Sequence, residues 1–66
     1  MDKVIRYQVW YGFDHGDLVN DYNDALKEAI ENDGDEIEEL IWDSEKSYEE
    51  YKPADQFKIV WRKGCM

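Results

Sequence analysis

Eight carboxylates run through the middle of this 66-residue chain at alternating steps of three and four: Asp14, Asp17, Asp21, Asp24, Glu28, Glu31, Asp35 and Glu38. On a helix that spacing gathers side chains on one face. At a rise of about 1.5 Å per residue it shows a carboxylate about every 5 Å. Such a line offers negative charge and hydrogen-bond acceptance, and it suits a cationic partner. Beyond Gly34, the acids Asp35, Glu36, Glu38, Glu39, Asp43, Glu45, Glu49 and Glu50 extend it. Like charges at i,i+4 destabilise a helix by about 0.2–0.5 kcal/mol per pair. Glu28 and Glu31 also fall toward the negative end of the helix dipole. Soluble surfaces ordinarily mix signs. A single-sign stripe held against helix stability therefore points to a surface shaped for a basic groove, rather than to a merely solvated face.

Other constellations carry less. His15 lies between Asp14 and Asp17 in a glycine-flanked loop, where a general base could be oriented by an aspartate. No nucleophile signature, oxyanion loop or phosphate-cradling glycine run accompanies it. Asn32-Asp33-Gly34-Asp35 invites a calcium loop, but setting Gly34 at position 6 puts Ala29 at position 1 and Leu40 at position 12, where oxygen ligands are needed. The adjacent pairs Glu38–Glu39 and Glu49–Glu50 point in different directions and imply no acid–base pair. Cys65 is the single cysteine. It has neither a disulfide partner nor a metal-ligating neighbour. The chain is accordingly read as non-enzymatic, with no catalytic residue, metal or cofactor.

Composition bounds the rest. Seventeen acids against eight bases give a net charge of −9, with 42% hydrophobic and 15% aromatic residues. One domain over residues 1–66 is expected. Its aromatics suffice for a small core worth about 3–5 kcal/mol net. No apolar run is long enough to span a membrane, no signal-peptide pattern opens the chain, and a cytoplasmic location is expected. The charge is uneven. Residues 14–50 hold 15 acids against Lys27 and Lys46, while residues 1–13 are net +1 and residues 51–66 net +3. Such a surface repels nucleic acid and attracts basic proteins.

The elements that must position these acids follow from periodicity. Residues 3–11 alternate as a strand, with Ile5, Tyr7, Val9 and Tyr11 on one face. Leu18, Tyr22, Ala25 and Ala29, with Val19, Leu26 and Ile30, form the apolar stripe of a helix over about 18–32. Asp17 or Asn20 caps it and Gly34 ends it. Residues 36–43 fit a strand or a helix, and a strand is preferred directly after Gly34. Residues 43–55 read as a polar loop with one helical turn at 44–51. Residues 56–62 form a strand with Phe57, Ile59 and Trp61 on one face, and residues 63–66 a flexible tail. The expected fold is α+β: a three-stranded antiparallel-type sheet with one amphipathic helix on a face, in the order β-α-β-β. Dimerisation through the uncovered face, near Trp10 and Trp42, would add stability, giving a monomer or weak homodimer.

With Asp17, Asp21, Asp24, Glu28 and Glu31 on the helix and acids from Asp35 to Glu50 behind it, the chain resembles the small acidic DNA-mimic inhibitors of bacteriophages and mobile elements, of anti-restriction and anti-CRISPR type. The resemblance is one of type and covers the middle of the chain. It implies that the carboxylates stand in for DNA phosphates and occupy a basic groove of a Cas protein or complex, or of another nuclease, in the bacterial cytoplasm. Lys58, Arg62 and Lys63 depart from the mimic pattern and mark an opposite face or a second contact. The competing reading is a small protein-interaction or antitoxin-like regulatory module. It would bind through an aromatic sheet face bearing Trp10, Trp42 and Trp61, with Tyr48 and Tyr51 as neighbouring interface aromatics.

Overall fold

A computed structural model describes residues 3–64. β-Branched and aromatic residues pleat well, and they build β1 (Val4–Tyr11). Gly12, at a φ of +73°, begins the two-residue turn into β2 (Asp14–His15). A glycine first in such a turn supplies the positive φ it requires. The chain then runs back along β1. Val19 and Tyr7 exchange backbone hydrogen bonds of 2.8 and 2.9 Å.

That pairing moves the start of the helix. The expected helix over 18–32 is instead α1 (Tyr22–Asn32), because the backbone of Val19 is committed to β1. Asp21, rather than Asp17 or Asn20, is the cap, and its carboxylate accepts from the Asp24 amide at 2.9 Å. Ile30, placed on the apolar stripe by its spacing, is exposed. At the other end Asp33 takes the left-handed conformation (φ 60°), and Gly34 donates to the Ala29 carbonyl at 2.7 Å. Gly34 is therefore needed for closeness and not for its φ. A Cβ there would meet Val9 Cγ1 at 2.5 Å and Ala29 Cα at 3.2 Å.

The chain continues through β3 (Glu36–Trp42), α2 (Glu45–Glu49) and β4 (Gln56–Arg62). The sheet is antiparallel and has four strands in the order β2-β1-β3-β4, one more than expected. The extra strand is two residues long, too short for alternation to reveal. The α+β class and the strands at 36–42 and 56–62 agree with the expectation.

Helix α1 covers the face bearing Val9 and Ile37. Together with Ala25 and Ala29 these residues form the buried centre, ringed by Tyr7, Tyr11, Val19, Tyr22, Leu26, Val60 and Trp61. Burying Val9 and Ile37 contributes about 1.5–3 kcal/mol each. A bulge breaks the β4 register: Trp61 pairs with Ile37 and Ile59 with Glu38, leaving Val60 extra. Trp61 is thereby turned onto the helix side, away from Phe57 and Ile59, whose face it was expected to share. The expected bare face around Trp10 and Trp42 is partly clad. Trp42 is only 6% exposed. Its ring meets Tyr48 of α2 edge-on at 5.1 Å, and its Nε1 donates to the Lys52 carbonyl at 2.7 Å. The Arg6 guanidinium lies over the same Tyr48 ring at 5.0 Å. Trp10 donates through Nε1 to Glu38 and stacks edge-on with His15. Of the expected tail, Lys63 is held by its backbone N–H, which donates a 2.8 Å hydrogen bond to the Asp35 carbonyl. Residues 65–66, including Cys65, lie outside the described residues.

Gly34→Ala should therefore lower unfolding stability by about 1–3 kcal/mol, because the added methyl overpacks Val9 against a backbone that has little room to yield. Urea unfolding followed by tryptophan fluorescence measures it; an unchanged midpoint would show that α1 does not need this close approach.

Candidate functional site

The carboxylates are positioned by how α1 docks. At 100° per residue, Asp21, Asp24, Glu28 and Glu31 fall within an arc of about 80°. That arc borders the buried arc of Tyr22, Ala25 and Ala29. The flank overhangs the β2 edge of the sheet. There Glu28 accepts a 2.7 Å hydrogen bond from the Tyr11 hydroxyl and closes over Gly16, whose Cβ position is 2.8 Å from Glu28 Oε2. Asp14 and Asp17 lie along this same edge, Asp14 on β2 and Asp17 in the segment that follows. Asp17 thus joins the line from outside the helix.

The remaining acids do not extend this surface. Glu36 is paired with Arg62 at 3.0 Å, and Glu39 with Lys58 at 3.8 Å. Glu39 also accepts from the Tyr7 hydroxyl at 3.0 Å, and Glu38 accepts from the Trp10 indole at 3.0 Å. Asp35 is exposed between α1 and β3, where its backbone ties β1 to the Lys63 turn. Asp43, Glu45, Glu49 and Glu50 accompany α2. Because Tyr48 packs on Trp42 and Arg6, this group lies across the sheet from α1. Glu50 pairs with Lys52 at 3.3 Å. The acids expected to form one negative surface are therefore split among a helix flank, a salt-bridged sheet and a second patch behind it.

This division assigns the cations as well. Lys58, Arg62, Lys63 and Lys52 pair with Glu39, Glu36, Asp33 and Glu50. Among the described residues, no cation pairs with Asp17, Asp21, Asp24, Glu28 or Glu31. Asp14, Asp35, Glu38, Asp43, Glu45 and Glu49 likewise have no cation partner among the described residues, and Lys27 stands on α1 one turn from Asp24 and Glu31, so what distinguishes the flank is the spacing of its carboxylates along one helix. His15, considered above as a base, is instead engaged by Gln8 Nε2 at 2.8 Å. Among the described residues, no three His, Cys, Asp or Glu side chains converge as metal ligands, and no helix is long and apolar enough to cross a membrane.

Sequence reasoning missed an apolar groove of about 370 Å³ on the face opposite α1, lined in part by Leu18, Leu40, Trp42, Pro53 and Phe57. Leu18, expected on the helix, lies before α1 and is free to line the groove. Phe13 at the hairpin tip and Tyr51 behind α2 are almost wholly exposed. Phe13 had a signal, since an aromatic beside a turn glycine has little to pack on.

Two phenol–carboxylate pairs join the acids to the core. Burial, then the hydrogen bond to Glu28 and its charge, push the Tyr11 hydroxyl up to about 12. Burial and Glu39 raise Tyr7 in the same way. The folded chain therefore holds these protons more tightly than the unfolded chain. The resulting stability is complete below pH 10 and is lost as pH rises toward about 12. Tyr11→Phe should flatten that alkaline loss. Urea midpoints measured from neutral to strongly alkaline pH check it, and an unaltered alkaline slope would dissociate Tyr11 from the effect.

No family model matches the chain, and neither the curated proteins nor the solved structures compared with it contain a match.

Proposed function

We propose that this chain is a non-enzymatic inhibitor that imitates DNA, an anti-CRISPR protein that occupies a basic groove of a Cas effector complex in the bacterial cytoplasm and so blocks DNA binding. One observation carries the reading: the α1 flank and the neighbouring Asp17 present five carboxylates with no cation paired to them among the described residues, whereas Glu36 and Glu39 of β3, Asp33 after α1 and Glu50 after α2 each have a basic partner. Duplex DNA carries one charge per about 1.7 Å of axis. A competitor for its groove needs a dense single-sign line on a rigid support, and a helix docked on a sheet provides one.

Salt supplies the first test. Affinity for the captured effector should fall at least about tenfold between 0.1 M and 1 M salt, as the Debye length shrinks from about 10 Å to about 3 Å. Duplex DNA should displace the inhibitor. Salt-independent binding would reject the electrostatic mechanism.

The second test is the variant carrying Asp21→Asn, Asp24→Asn, Glu28→Gln and Glu31→Gln. Asn caps as well as Asp, and Gln still accepts from Tyr11, so α1 is retained. Loss of four exposed charge pairs should weaken binding by about 1–4 kcal/mol. Full inhibition by the folded variant would remove the flank from the interface.

A second reading has an observation of its own. The groove on the opposite face, together with the 96% exposed Tyr51, suits a small interaction module that binds through aromatics. Target binding that survives the fourfold variant and is lost in Tyr51→Ala would favour it.

A further inference from the structure

The sheet has two edges, and they are treated differently. On one, β2 is two residues long and the acidic flank of α1 overhangs it. On the other, β4 is seven residues long, no strand among the described residues pairs with its outer side, and within it only Val60 and Trp61 are withdrawn from solvent. Open edges are usually guarded by charged side chains. Here Lys58 and Arg62 stay largely exposed, but each is paired with an acid of β3, Glu39 and Glu36, so the charge they place on the edge is offset. The result is a nearly neutral margin on a chain of net charge −9, with no acid between Gln56 and Arg62. Phe57, 63% exposed, and Ile59 stand on this margin on the side away from α1, beside Leu40.

We propose that β4 is a self-association edge, pairing antiparallel with β4 of a second copy of this chain to make a continuous eight-stranded sheet. Charge selects the occupant. Two bodies this acidic repel wherever their acid patches meet, and β4 is where self-approach carries the least like charge. An antiparallel edge is also self-complementary under a two-fold axis. The bulge confines regular pairing to the Gln56–Ile59 half of the strand. Centring the pair on Phe57 stacks ring against ring, sets Lys58 opposite the second copy's Gln56, which keeps the two lysines apart, and ends the seam where Ile59 meets the second copy's Asp55. So short a seam gives a weak, concentration-dependent dimer. The axis is perpendicular to the sheet, so both α1 helices lie on one face. Four strand spacings of about 4.8 Å put them about 19 Å apart laterally. That this doubles the carboxylate line presented to a target rests on the DNA-mimic reading; the dimer itself does not.

Sedimentation equilibrium from micromolar to millimolar chain tests the edge without any target. The mass should rise from 8.0 kDa toward twice that value. Added salt should promote the rise by screening repulsion between the two acidic bodies, whereas it weakens binding to a basic target. This opposite salt response separates failure of the edge from failure of the proposed function. Phe57→Glu, at a position exposed in the monomer, should raise the dimer dissociation constant at least about tenfold by placing a charge at the seam, with an unchanged circular dichroism spectrum. In the unaltered chain, β4 amide exchange should slow as concentration rises. A mass of 8.0 kDa at every concentration and salt, a dimer indifferent to Phe57→Glu, or β4 exchange independent of concentration overturns the proposal.

Discussion

The close seating of α1 on β1 and β3 is the contact on which the remaining features depend. It is made by residues with almost nothing to pack: Ala25 and Ala29 on the helix and Gly34 after it, set against Val9 and Ile37. Small residues let the helix approach, and the approach makes a sheet of so few residues stable. It also fixes the rotation of α1 about its axis. Once Ala25 and Ala29 face the sheet, the arc at Asp21, Asp24, Glu28 and Glu31 must fall along the β2 edge. The core thus orients the charge, and the Tyr11–Glu28 bond holds one member of the line against the sheet.

Charge is sorted by the sheet more than by the sequence order. The basic C-terminal strand is laid beside acidic β3, and cross-strand pairing neutralises Glu36 and Glu39 with Arg62 and Lys58. Lys63 does the same for Asp33 at the end of α1. Surface pairs of this kind contribute little stability. Their consequence here is local: Lys58 on the α1 face, Arg62 on the opposite face and Lys63 at the end of α1 are each matched to a nearby acid, and among the described residues none of them pairs with the α1 flank. The basic C-terminal strand and the turn after it are thus matched to acids of β3 and to Asp33.

Strong local patterns were legible from the residues alone. The strand at the start, the amphipathic stripe through Ala25 and Ala29, the turn at 44–51 and the last strand all follow from periodicity and turn residues. What stayed hidden was set by pairing at a distance. The β2 hairpin edge is too short to alternate. Val19 reads as helical until its backbone is taken by Tyr7. Trp61 reads as a neighbour of Phe57 until the extra Val60 turns it to the other face. The candidate site was legible in the same uneven way. The three-and-four spacing identified the acids of α1, whereas the acids after Gly34 looked equivalent and were not.

By itself the sequence determined that this chain is one small α+β unit with a line of carboxylates on a single helix, because helical period and composition are local properties. Only the tertiary structure decided which acids remain unpaired, which face each aromatic takes, and which edge of the sheet stays open. Those outcomes depend on strand order and on one bulge. A single inserted residue reverses the faces of everything beyond it, and no local pattern records where the partner strand will lie.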